Sequence, residues 1–220
     1  DAIHASNFVE CDRVLGVHYD VFPFTKIDKI SAKDTFSKAQ KEFEKSAQLS
    51  QEPLDQARAL NARAQAGFTQ GDYEGSKHFA ESGLVLWRKE GNRRGEVDTL
   101  SLLAPAEICL GEWEAASLHL SEASEVCGRQ DYQWGSSVVV YLQGLHALYQ
   151  GRNEEAHAYL KSSVEQCRAL VNPPRTAVCL GNLGLCLLAQ GDWKNAQTLI
   201  EEGRELAEAT GYKQVEAFLL

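Results

Sequence analysis

Four turns recur at one spacing, and that spacing limits what the chain can fold into more than any other feature of it. Gly71-Asp72-Tyr73, Gly111-Glu112-Trp113, Gly151-Arg152-Asn153 and Gly191-Asp192-Trp193 stand 40 residues apart each time. Each Gly closes an apolar stretch with helical periodicity, at a place where a left-handed terminal residue costs least if it lacks a Cβ. A second helical stretch then begins. The spacing therefore predicts an all-α chain of helix-turn-helix repeats.

Two columns of small residues support the pairing of helices. Ser76, Ala116, Ala156 and Ala196 follow the turn glycine, and Ala64, Ala104, Gly144 and Gly184 precede it. Small groups there let antiparallel helices approach closely, with Phe79, Leu120, Leu160 and Ile200 as larger buried neighbours. Gly91-Asn92, Gly128, Asn172-Pro173-Pro174 and Gly211 read as the second connection of successive repeats. The helices between these marks should run roughly 15 to 18 residues, longer than the usual helix. A single pair cannot bury its apolar face, so the pairs must stack.

At Asn182-Leu183-Gly184, Gly191-Asp192-Trp193 and Ala196 the sequence resembles the tetratricopeptide family. The longer period and the stretch Gly91-Asn92-Arg93-Arg94-Gly95-Glu96 are more specifically similar to repeats of large bacterial signalling ATPases, including LuxR-type and maltose-activator-type regulators. The resemblance covers about residues 50 to 220 and implies a right-handed superhelical solenoid. It further implies a sensor or partner-binding arm whose first helices face an inner groove.

Composition shifts near residue 50. The first fifty residues carry six of eleven Lys but one of eleven Arg. Asp34 to Leu49 reads as an amphipathic helix, and Val21-Phe22-Pro23-Phe24 as a loop whose Phe side chains could cap the open end of the stack. The expected division is 1–50, an amino-terminal helical segment and cap or degenerate repeat, and 51–220, the repeats. The chain lacks an initiator Met, and Gln214 to Leu220 holds an apolar helical pattern without a stop signal, so a longer parent protein is expected.

The net charge of −9 opposes the counterion release that drives non-specific nucleic-acid binding, so no direct nucleic-acid partner is expected. No apolar run approaches the roughly 20 residues of a membrane-spanning helix. The six cysteines form no CxxC pair and are read as reduced thiols of a cytoplasmic protein. Cys127 and Cys167 share a repeat column and are read as small core positions, and His119, His146 and His157 are scattered without ligand spacing. No catalytic, cofactor or metal motif is present, and the chain is not expected to be an enzyme.

Binding is expected on the first helix of each repeat. Tyr141, Leu145 and Tyr149 are spaced by four and share one helix face. Leu185 from the next repeat, with Asn61, Gln65 and Ser101 from preceding ones, would complete an apolar floor with polar ends. Such a floor suits a protein or peptide segment, or a small effector. The same side chains could instead pack against the neighbouring repeat. Pro105 should bend its helix beside Ser101. The leading expectation is an interaction arm of a larger signalling or transcription-regulating protein. Self-association as an assembly scaffold, with a homodimer as its simplest form, is the alternative.

Overall fold

The computed structural model describes residues 52–211. Among them stand eight helices and no strand: α1 Pro53–Gln70, α2 Tyr73–Lys89, α3 Arg93–Leu110, α4 Trp113–Gln130, α5 Gln133–Tyr149, α6 Asn153–Ala169, α7 Pro173–Ala189 and α8 Trp193–Thr210. The readings at residues 34–49, at the 21–24 loop and at residues 214–220 lie outside the described residues. The described residues divide into two compact units, one ending at Gln130 and the other beginning at Asp131. In each unit, every helix packs on its sequence neighbour, and the two odd-numbered helices also touch each other. These are helix-turn-helix repeats, with α1, α3, α5 and α7 as the first helices.

The turns follow from backbone sterics. Gly71, Gly111, Gly151 and Gly191 hold φ of 82°, 79°, 73° and 83°, the left-handed conformation that other L-residues avoid. The residue after the glycine caps the next helix where its chemistry allows. Asp72 Oδ1 accepts from the Gly75 backbone N–H at 2.9 Å and Asp192 Oδ1 from that of Asn195 at 3.2 Å. Asn92 and Asn172 do the same for Gly95 and Arg175 across the other connection.

That other connection corrects the reading of Gly128. It lies inside α4, and the left-handed positions of the column are Gly91, Asp131, Val171 and Gly211, with φ of 65°, 48°, 52° and 68°. Asp tolerates this conformation with modest strain, whereas β-branched Val171 occupies it against its preference and is 81% exposed.

The small columns do what their size suggests. Ser76, Ala116, Ala156 and Ala196 are wholly buried. A Cβ on Gly144 would come within 2.7 Å of Leu160 Cγ, and one on Gly184 within 2.6 Å of Ile200 Cγ1. Each glycine thus makes room for a branched side chain on the paired helix. In the first repeat the buried residue at the Leu160 position is Ala80, and its neighbour Phe79 lies half-buried beneath the Arg63 guanidinium, 3.9 Å from the ring centre. Helix α3 runs on through Pro105, and Ser101 and Pro105 are both buried, so the proline stands within a continuous helix and Ser101 lines no open surface.

Candidate functional site

The inner-helix column that sequence spacing marked as a groove floor does two different jobs. In the first unit Asn61 of α1 is buried, and its Oδ1 accepts a hydrogen bond from the Thr99 hydroxyl of α3 at 2.8 Å. In the second unit Tyr141 of α5 is 2% exposed, and its hydroxyl accepts from Asn182 Nδ2 of α7 at 3.1 Å. Asn61 and Tyr141 stand in the same repeat column, so each ties one first helix to the next. A buried polar pair of this kind must stay satisfied, since leaving one member alone costs its desolvation.

Tyr141 and Leu145 are therefore core residues, which corrects the expectation of an open face containing them. The i, i+4 spacing put them on one face correctly, but that face is covered as far as Leu145, one turn short of Tyr149. Burial pushes the Tyr141 phenol well above its ordinary pKa, so it stays a neutral hydroxyl. Gln65 and Ser101 are also buried. Of the seven residues only Tyr149 and Leu185 remain open, each 44% exposed, near the carboxyl ends of α5 and α7. Ala189, Gln150 and Gln190 are exposed beside them in the helix sequence.

Sequence spacing did not single out Arg175. It sits in the first turn of α7, 3% exposed, with its guanidinium carbon 5.4 Å from the Trp134 ring centre and 5.6 Å from that of Tyr141. An Arg between two aromatic faces keeps a charge inside the fold at reduced cost. Its position after the Pro173-Pro174 helix start gave no sequence signal of burial.

The titratable groups of the first unit serve structure. Glu107 is 1% exposed, and one of its oxygens lies 2.9 Å from His119 Nδ1, a contact that raises the imidazole pKa. Glu96, also buried, pairs with Arg88 and Arg93. Arg88 reaches Glu122 and Arg168 reaches Glu202, so the second helices of successive repeats carry one equivalent surface ion pair in each unit. Exposed pairs of this kind contribute little. Among the described residues no three His, Cys, Asp or Glu side chains are grouped to hold a metal ion, and no helix is long and apolar enough to cross a membrane.

Comparison with known proteins agrees with this architecture. Residues 137–209, which lie within α5 to α8, match the tetratricopeptide repeat family model. The crystal structure of BtubC (BKLC) from P. vanneervenii is similar over 94% of this chain and 91% of that one, at 16% identity and a TM-score of 0.66. A Rap protein complexed with Competence and Sporulation Factor is similar at 16% identity and a TM-score of 0.77, over 85% of this chain. The Rap conjugation gene regulator of plasmid pLS20, in complex with the Phr* peptide, is similar at 17% identity and 0.76, over 87%. The chain spans about half of these two Rap structures, 53% and 54%. At such identities the likeness concerns the fold. A 36-residue stretch is 53% identical to part of a UPF0173 metal-dependent hydrolase of Christiangramia forsetii, 16% of each chain. That share is too small to carry the hydrolase's activity across.

Proposed function

We propose that this chain is a peptide- or protein-binding repeat segment of a larger intracellular signalling or transcription-regulating protein, and that Tyr149 and Leu185 are its contact residues in the second unit. The observation that carries the reading is the exposure of those two side chains, the large apolar ones of α5 and α7 that stand most open to solvent. An amphipathic ring and a branched aliphatic chain are the kind of anchor that a peptide side chain can desolvate. The similarity to a Rap regulator in complex with a peptide supports a peptide occupant. The 40-residue period and the Gly91–Glu96 stretch support an arm like those of LuxR-type and maltose-activator-type regulators, working in the cytoplasm. Tyr141 and Leu145 would position that face from beneath, and Asn61, Gln65 and Ser101 hold the equivalent buried positions of the first unit.

The test is to pan a displayed random-peptide library against the 220-residue chain and to map the recovered peptide with a photo-crosslinking residue. A crosslinker at position 149 or 185 should capture the peptide, and one at exposed Val85 on α2 should not. Capture at Val85 alone would move the site to another face. Self-association is the second reading, favoured by Trp193 and Val171 at 70% and 81% exposure. Light scattering reads it directly, because a dimer that persists on dilution supports a scaffold and a monomer supports an arm.

A further inference from the structure

Four buried positions of the second unit carry polar or sulfur-bearing side chains where the equivalent positions of other repeats are mostly apolar. Ser137 of α5 stands where the other described repeats have Ala57, Val97 and Ala177. Ser163 of α6 replaces Gly83, Ala123 and Gly203, and Cys179 of α7 replaces Thr99 and Val139. Cys167 of α6 shares its column with Cys127, and there the resemblance stops. Cys167 Sγ lies 3.8 Å from Cys179 Sγ, and both side chains are wholly buried. The Ser163 hydroxyl lies 3.2 Å from Cys179 Sγ and donates to the Ser137 carbonyl at 3.4 Å.

The surroundings separate the two sulfurs. The Cys179 thiol hydrogen-bonds Cys167, and the Arg175 charge adds to that effect, so Cys167 is lowered to about 7 while Cys179 is raised. Among the described residues no second thiol lies beside Cys127, and its burial, with the Asp98 charge, raises it to about 11. Two thiols in contact, one more acidic than the other, have the arrangement of an attacking and a resolving cysteine. The two are joined by the α6–α7 turn, where Val171 already holds an unfavourable left-handed backbone. Opening of that turn is the local motion that would admit a small oxidant.

We propose that Cys167 and Cys179 form a peroxide-oxidised dithiol that closes to a disulfide between α6 and α7. The Cys167 thiolate attacks one oxygen of hydrogen peroxide, the O–O bond breaks, and the departing hydroxide takes a proton to become water. Cys167 is then a sulfenic acid. Cys179 gives up its proton as its sulfur attacks the Cys167 sulfur. The S–O bond breaks, and the hydroxide leaves with that proton as a second water. Two thiols are oxidised and one peroxide is reduced to two waters. A disulfide needs a sulfur separation of about 2.0 Å, so side-chain rotation with a small helix shift completes the bond. The bond would form one turn before Asn182, on the helix that carries Leu185.

The experiment treats the full chain with hydrogen peroxide near neutral pH, blocks the remaining thiols after denaturation and maps the peptides by mass. The expected product joins the Cys167 and Cys179 peptides, lighter by two hydrogen atoms, and forms at least about tenfold faster than any oxidation of Cys127. Cys179→Ser should leave Cys167 as a sulfenic acid that a cyclic dione captures, and Cys167→Ser should leave Cys179 unoxidised. The proposal is overturned if both thiols are still alkylated after Cys109 or Cys127 has been oxidised, or if Cys167 and Cys179 appear only in random pairings with other cysteines. The wild-type map decides the matter even if a variant fails to fold.

Discussion

The two units use one plan and fill it differently. In the first, the inner helices are tied by two small polar groups, Asn61 and Thr99, and in the second by a large ring and an amide, Tyr141 and Asn182. The small column before the turn glycine is Ala64 and Ala104 in the first unit and Gly144 and Gly184 in the second. The left-handed residue that joins the two repeats is Gly91 in the first unit and Val171 in the second. The backbone pattern of a repeat is therefore set by a few positions, while the interior chemistry is free to vary as long as volumes and hydrogen bonds close.

The tie gives the largest expected effect. Tyr141→Ala should destabilise the chain by about 3 to 5 kcal/mol, as expected for a buried aromatic, because it opens a cavity and leaves Asn182 with one partner fewer. Asn61→Ala should cost less, about 1 to 3 kcal/mol, since little volume is lost and the Thr99 hydroxyl can turn to the Gly95 carbonyl 2.7 Å away. Urea titration of both variants checks the order, and equal losses would erase the distinction between the units.

Next in size is the small column. Gly184→Ala places a methyl 2.6 Å from Ile200 Cγ1 and 3.3 Å from the Ala196 carbonyl, so overpacking should cost about 1 to 3 kcal/mol despite the better helix propensity of Ala. Adding Ile200→Val should recover part of that loss. If Gly184→Ala alone raises the melting temperature, the account of close helix approach in the second unit is wrong.

The architecture was legible because its causes are local. A left-handed turn at Gly71, Gly111, Gly151 and Gly191 needs no Cβ, and the small residues on either side of it need no partner to be recognised. Asp131 and Val171 were not legible, since a left-handed Asp or Val is unfavourable without being forbidden, and Gly128 offered a nearby alternative. The candidate site was half legible. Spacing by four places Tyr141, Leu145 and Tyr149 on one face, but which part of that face is covered depends on neighbouring helices. Cys179 gave no signal either, because its closeness to Cys167 exists only once α6 and α7 pair across their turn.

A smaller effect tests the turn column. Val171→Gly should stabilise the second unit by up to about 1 kcal/mol, because relief of left-handed strain exceeds the entropy Gly adds to the unfolded chain. The reverse change, Gly91→Val, should destabilise the first unit by a similar amount.

The smallest effect depends on pH and belongs to the first unit, since Ala147 and Tyr159 hold the places of Glu107 and His119 in the second. His119 is raised in the folded chain by its hydrogen bond to Glu107. Its contribution is therefore complete below the ordinary imidazole pKa of about 6.5 and is lost as pH rises through the raised folded value. The deficit of His119→Asn relative to wild type, of the order of 1 kcal/mol at most, should be larger near pH 6 than near pH 9. A deficit that grows with pH would contradict the pairing.

The central claim is that one helix face is divided between residues that hold the repeats together and residues left open to receive a partner. The most direct measurement is a paired one on Tyr149→Ala/Leu185→Ala, a urea titration together with the affinity of the panned peptide. Stability is expected within about 1 kcal/mol of wild type, with affinity weakened about tenfold or more. A double variant that unfolds as readily as Tyr141→Ala, or one that binds the peptide as tightly as wild type, would contradict it.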